Sequence, residues 1–160
     1  GGLDEAATAA KKRAAGRRES EKRALDYLYC HLLDWQAPRN YVFVPRWMME
    51  ALRLGPREVA ELTWVRLAEG AQVTLKPKTP DFSSWANPQA VMESELKYYS
   101  SLTVGSTIVI HYKGKDHALE VRKVMSGERQ LDGANIQDVN VAVDFEGVPE
   151  KKSKKAPPRS

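Results

Sequence analysis

Apolar residues Leu25, Leu28, Leu32 and Trp35 recur at spacings of three and four, which places them on one stripe of a helix. From Asp4 to Trp35 there is no proline and one interior glycine, Gly16, among many strong helix formers, so the pattern predicts a long helix. Only its end is amphipathic, because nothing before Arg23 offers an apolar face to bury. Ala37 and Pro38 then break it, since the residue before a proline is pushed out of the helical region.

Beyond the break the pattern changes. Tyr41, Val42, Phe43 and Val44 form a short β-prone run, and Pro45 suits the first turn of a helix continuing through Trp47, Met48, Met49, Ala51, Leu52 and Leu54. Gly55 and Pro56 end that helix. Two β-prone runs follow, Leu62–Leu67 and Gln72–Lys76, and the Ala68-Glu69-Gly70 break between them predicts a hairpin. Residues 77–87 read as a loop by composition. Asn87 is a good N-cap and Pro88 a good first helical residue for a helix whose buried face is Val91, Met92, Leu96 and Tyr99. A strand is expected over Thr107–Tyr112, a turn at Gly114-Lys115, a partner strand over Asp116–Val124 and a last strand over Val139–Phe145.

The 160 residues and 42% apolar content suffice for one domain with tails. A net charge of +4 raises the question of nucleic acid, and its distribution answers it. Residues 41–147 hold 12 basic and 14 acidic side chains, so the basic excess lies in the tails and a nucleic-acid-binding core is not expected. A single cysteine, Cys30, excludes an internal disulfide framework and a Cys-rich zinc site. No run of about 18 apolar residues is present to span a bilayer. The Ala/Lys/Arg-rich start has a trace of an organelle-targeting leader, against which Asp4, Glu5, Glu19 and Glu21 count.

Candidate catalytic groups are few. Cys30 and His31 are adjacent on the expected helix and point about 100° apart, so they do not form a dyad with each other. With a two-residue loop at Gly114-Lys115, Tyr112 would pair with His117 and His111 with Ala118, leaving the two imidazoles on opposite sheet faces and unable to share a metal. Glu93 and Glu95, two apart on a helix, diverge as well. Gly114-Lys115 lacks the upstream glycine and the following Ser or Thr of a phosphate-binding loop. Neither an enzyme nor a cofactor or metal site is expected.

Four blocks carry a resemblance: YVFVPRWMM at 41–49, KTPDFSSWANPQAVME at 78–93, SLTVGSTIVIHY at 101–112 and VDF at 143–145. In their order and spacing they resemble the amino-terminal domain of the ubiquitin fusion degradation protein family. The resemblance implies an α+β fold: a partial double-psi β-barrel and then a small α/β lobe, here preceded by the long N-terminal helix. On that basis residues 1–38 are expected to be a helical extension, 39–77 the second part of the barrel lobe, 78–147 the α/β lobe and 148–160 a disordered basic tail. The sequence departs from the family where barrel strands should precede Tyr41, and at Gly55-Pro56-Arg57-Glu58, where a Gly-Asp turn is usual. A truncated gene, a lineage-specific loss, or a homodimer in which two incomplete barrels complete each other would each account for the missing strands.

The family's role implies binding of polyubiquitin or ubiquitylated proteins and an adaptor function for an AAA+ segregase ATPase beside a nuclear-protein-localisation-type partner subunit. It implies a cytoplasmic and nuclear protein, peripheral to the endoplasmic reticulum and active in degradation from it. The alternative is a structural part of a plastid-type organelle import machinery related to this one. Phe43, Trp47, Met48 and Met49 read as core. Phe82 and Trp85 sit in a polar loop beside Asp81, and aromatics there either tuck under the loop or meet a partner. Asp81, Phe82 and Trp85 are therefore the candidate ubiquitin contacts, matched in type to an apolar patch with a basic rim.

Overall fold

Alternation of apolar and polar residues in Thr107–Tyr112 and Lys115–Ser126 builds the centre of the molecule. The computed structural model describes residues 7–11 and 25–147. Numbered in chain order, the strands are β1 (Ala7–Lys11), β2 (Tyr27–Cys30), β3 (Glu61–Val65), β4 (Gln72–Pro77), β5 (Ser101–Thr103), β6 (Thr107–Tyr112), β7 (Lys115–Ser126), β8 (Arg129–Leu131), β9 (Gly133–Asn135) and β10 (Ala142–Phe145), with helices α1 (Arg46–Leu52) and α2 (Pro88–Glu95). The fold is mixed α+β, and no helix among the described residues is long and apolar enough to cross a membrane.

The larger sheet runs β10-β4-β7-β6, with β8 also on β7. β7 is antiparallel to both β6 and β4, whereas β10 lies parallel to β4 with Val143 beside Val73. Ile108, Ile110, Leu119, Val121, Val73 and Leu75 turn to one face and are buried. Met92 from α2 and Leu96 from the turn that follows it pack into the same core. That helix starts as its sequence demands: the Asn87 side chain accepts the Ala90 N–H at 3.1 Å and Pro88 needs no amide partner at the first position.

The β6–β7 turn lies at Lys113-Gly114, one residue earlier than expected. Both residues have positive φ, 52° and 74°, which is the mirrored turn whose twist fits a hairpin. Tyr112 therefore pairs with Lys115, His111 with Asp116 and Ile110 with His117. Slipping the pairing by two keeps each side chain on its face, so the burial pattern alone does not separate the two registers.

β5 and β9 pair antiparallel as a two-stranded sheet, and the small three-stranded sheet, β2-β1-β3, overturns three expectations. Residues 7–11 and 27–30 are strands, not parts of a helix; the rest of the expected helix before Leu25 lies outside the described residues, as does the tail over 148–160. Tyr27 and Tyr29 alternate about the buried Leu28, and that period of two, satisfied by tertiary hydrogen bonds, wins over helical propensity. Second, Tyr41–Val44 pairs with no strand among the described residues. Third, the two β-prone runs after α1 are strands but not a hairpin: β3 pairs with β1, and β4, which the sequence groups with residues 39–77, joins the larger sheet. A hairpin needs only local geometry, whereas β4 reaches more buried apolar surface between β7 and β10.

Helix α1 spans seven residues and buries only Leu52, which packs on Leu28 with Met48 and Leu54 alongside. Phe43 and Trp47, expected in the core, are exposed, because so short a helix has one face to bury and Phe43 precedes it in unpaired backbone.

Candidate functional site

The loop holding Asp81, Phe82 and Trp85 winds into a short 3-10 turn over Pro80–Ser84, tied by Ser84 Oγ donating to the Asp81 carbonyl at 2.6 Å. It tucks both rings inward: Phe82 is 2% exposed and Trp85 3%. Their centroids lie 4.4 Å apart, Phe82 meets Phe145 at 4.5 Å and Trp85 meets Tyr112 at 4.4 Å. His117 stands edge-on to Trp85 and donates from Nε2 to the Tyr112 carbonyl at 3.2 Å. Of the two alternatives the sequence leaves for these aromatics, tucking under the loop is the one the structure adopts, and the rings form an aromatic core. The physical reason is area: two rings of roughly 150–250 Å² each gain more under the loop than in water. Asp81 alone of the three is on the surface.

His111 points the other way, exposed, with Nδ1 2.8 Å from Asp116 Oδ1. The two histidines do fall on opposite faces. Among the described residues no group of three or more His, Cys, Asp or Glu is placed to hold a metal ion.

Polar contacts join the small sheet to the larger lobe. The Tyr27 and Tyr29 hydroxyls both donate to Oδ2 of Asp132, at 2.6 and 2.8 Å. The outer edge of β2 is also satisfied by side chains: the Tyr29 N–H donates to Thr103 Oγ1 at 2.9 Å and Ser101 Oγ donates to the Tyr29 carbonyl at 3.1 Å. Partial burial pushes the Asp132 carboxyl up, but the two phenol hydroxyls and the amides of Asp132 and Gly133 outweigh it and hold the carboxyl below its usual range. The Tyr29 phenol is raised by burial and by the carboxylate it serves, and the Tyr27 phenol by its hydrogen bond to Asp132 and then by burial.

Above this junction lies a cleft of about 470 Å³. β2 and α1 form one wall with Tyr29, Cys30, Trp47 and Met48, and the end of α2 with β6 forms the other with Glu95, Tyr98, Tyr99 and Val109. Trp47 and Val109 are exposed and Tyr98 is 83% exposed, so the cleft presents aromatic and aliphatic groups around one carboxylate. Burial raises the Cys30 thiol, which disfavours the thiolate a nucleophile would need. The cleft is suited to surface recognition of a partner with apolar and hydrogen-bonding groups. Sequence reasoning passed over Trp47 and Tyr98. The Tyr98-Tyr99 pair was the available signal, since only one of two adjacent helical side chains can face the core.

Comparison with known proteins places this geometry. The model of the N-terminal subdomain 2 of ubiquitin fusion degradation protein UFD1 matches residues 69–148. The ubiquitin fusion degradation protein 1 homolog of Dictyostelium discoideum is 30% identical over 117 residues, 73% of this chain and 34% of that protein. Ubiquitin fusion degradation protein 1 of Saccharomyces cerevisiae is 33% identical over 93 residues, 58% of this chain and 26% of that protein. The human ubiquitin recognition factor in ER-associated degradation protein 1 is 29% identical over 118 residues, 74% of this chain and 37% of that protein. The chain thus spans about a third of the length of these relatives. With half of its residues matched by the family's subdomain, from the end of the small sheet through the whole of the larger one, the chain belongs to the ubiquitin fusion degradation protein family.

Proposed function

We propose that the chain binds polyubiquitin or ubiquitylated proteins and acts, without catalysis, as an adaptor that brings them to an AAA+ segregase ATPase in ubiquitin-dependent degradation, including degradation from the endoplasmic reticulum. The observation that carries this reading is the cleft between the two sheets, with Trp47, Tyr98 and Val109 at its mouth, in a chain of a family whose human relative is named a ubiquitin recognition factor. Exposed aromatics at the mouth of a cleft of mixed polar and apolar lining suit a recognition hot spot, and Asp81 adds an exposed carboxylate for a basic rim.

The partners of this reading are the ATPase, a nuclear-protein-localisation-type subunit and a second copy of the chain. It places the protein in the cytoplasm and nucleus, at the surface of the endoplasmic reticulum. On this reading the small sheet belongs to a double-psi barrel lobe and the larger sheet with α2 forms an α/β lobe.

A pull-down of polyubiquitin by the full chain, with the ATPase and partner subunit present, tests the function. Retention that falls at least about tenfold in a Trp47→Ala, Tyr98→Ala variant of unchanged melting temperature supports the cleft, the tenfold corresponding to about 1.4 kcal/mol. A chain that retains no polyubiquitin overturns the adaptor reading, and full retention by the variant overturns the site.

A further inference from the structure

Four aromatic rings and one carboxylate meet in the cleft: Tyr29 and Trp47 on one wall, Tyr98 and Tyr99 on the other, with Glu95 at the end of α2. Glu95 is half-buried and makes no hydrogen bond or ion pair with a described residue. Neighbouring basic groups are engaged or turned away. Arg46, next to Trp47 in the chain, holds Glu50 at 2.9 Å, and His31, which also lines the cleft, has an interaction of its own. Lys97 is exposed two positions beyond Glu95, and helical residues two apart do not face each other. The Tyr99 phenol is raised first by burial and further by the charge of Glu95, which puts that carboxylate close to the ring.

The rings themselves are ready for a cation. Among the described residues the cation set over a ring is Lys113 on Tyr112, so none yet covers the four in the cleft. Two of them are held in place: the Tyr29 hydroxyl donates to Asp132 at 2.8 Å and the Tyr99 hydroxyl to the Val109 carbonyl at 2.6 Å. Trp47 and Tyr98 stand exposed at the mouth. Walls fixed in advance lower the cost of ordering a ligand.

We propose that the cleft takes an arginine side chain of the bound partner, its guanidinium stacked on the mouth rings and hydrogen-bonded to the carboxylate of Glu95. Resting on the recognition reading above, this gives the basic rim of that partner a place to dock.

The chemistry selects among occupants. An anion is repelled by Glu95, and a wholly apolar side chain would strip water from the carboxylate and return no hydrogen bond. A cation serves both the carboxylate and the negative faces of the rings. Lysine offers a strongly hydrated point charge. Arginine is planar and less hydrated, so it stacks on a ring while giving two parallel N–H groups to one carboxylate. Its three-carbon stem needs apolar surface to lie along, which Met48 and Val109 supply. A cleft of about 470 Å³ admits stem and head together.

Two measurements on the full chain test it. In the isotope-labelled chain, millimolar acetyl-Leu-Arg-Leu amide should shift the Trp47 indole N–H and the Tyr98 and Val109 amides. The same peptide with citrulline, which keeps the shape of arginine and loses its charge, should not. Glu95→Gln should remove the shifts, and its retention of polyubiquitin should fall at least about tenfold at unchanged melting temperature. The citrulline comparison uses no variant, so it decides the matter whatever the substitution does to folding. No shift from the arginine peptide, or an equal one from the citrulline peptide, overturns the proposal. Full polyubiquitin retention by Glu95→Gln overturns it too, as does a lysine peptide that binds as tightly as the arginine one. Arginine-peptide binding through Glu95 in a wild type that retains no polyubiquitin would overturn the adaptor function and uphold the cation site. Polyubiquitin retention indifferent to Glu95 would overturn the cation site alone.

Discussion

The hydroxyl of Tyr99 serves both backbone groups of Val109: it donates to the carbonyl at 2.6 Å and accepts the N–H at 3.2 Å. β6 is the last strand of its sheet, so these are groups that a further strand would otherwise take. The phenol is raised by burial, which keeps it protonated and able to donate.

Replacing Tyr99 with Phe removes both hydrogen bonds and keeps the ring. Since each of the two bonds contributes about 0.5–1.5 kcal/mol, the variant should lose about 1–3 kcal/mol, read as a lower urea midpoint with unchanged slope. Hydrogen exchange at the Val109 amide should accelerate more than at Ile108 or Ile110, whose amides face β7. Unchanged exchange at Val109 would show that the hydroxyl does not guard the edge.

Phe82 and Trp85 should behave as core. Phe82→Ala or Trp85→Ala is expected to cost about 3–5 kcal/mol, and Asp81→Ala within about 0.5 kcal/mol of nothing. Thermal melts of the three variants decide it. Were either aromatic substitution to leave the melt unchanged while weakening polyubiquitin binding, the rings would be contacts after all.

The junction at Asp132 should weaken in acid. Its folded carboxyl titrates below the unfolded one, so its contribution is fully present above the unfolded value of about 4 and is lost as pH falls through the lower folded value. Tyr27 and Tyr29 carry the opposite sign: their folded values are raised, so their contribution holds below about 10 and is lost as pH rises beyond it. Asp132→Asn should flatten the acid limb of stability measured by urea denaturation. An acid limb identical in the variant would assign it to other carboxylates.

Gly133 has no room for a side chain. A Cβ there would run into the Tyr29 ring and stand 2.8 Å from the Leu102 carbonyl oxygen. Gly133→Ala should therefore destabilise by about 1–3 kcal/mol, the usual cost of overpacking. Adding Tyr29→Ala should recover only part of that loss, because the backbone carbonyl remains; a double-mutant cycle with full recovery would place the whole conflict at the ring.

Local chemistry made much of this legible. Asn87-Pro88 marks the start of α2 because cap and first turn are satisfied within a few residues. The strand Thr107–Tyr112 has its expected bounds, since alternating Ile108 and Ile110 need only a neighbouring face to bury against. The partner strand was legible too, although its turn was not, because two registers bury the same residues and the backbone angles of Lys113 and Gly114 choose between them.

The candidate site was less legible. A polar loop with two aromatics looks the same in sequence whether its rings point inward or outward, and what draws Phe82 in is Phe145, 63 positions later. Tyr27 and Tyr29 are strand residues because Asp132 and Thr103, over 70 positions away, receive their hydroxyls and an amide. By itself the sequence determined the family and the α+β class, and local pattern placed the two short helices and the two strands of the central hairpin, though not its turn. Only the tertiary structure decided which strands share a sheet, which aromatics are core and where a cleft opens, because those outcomes depend on which distant partner buries most surface and satisfies most hydrogen bonds.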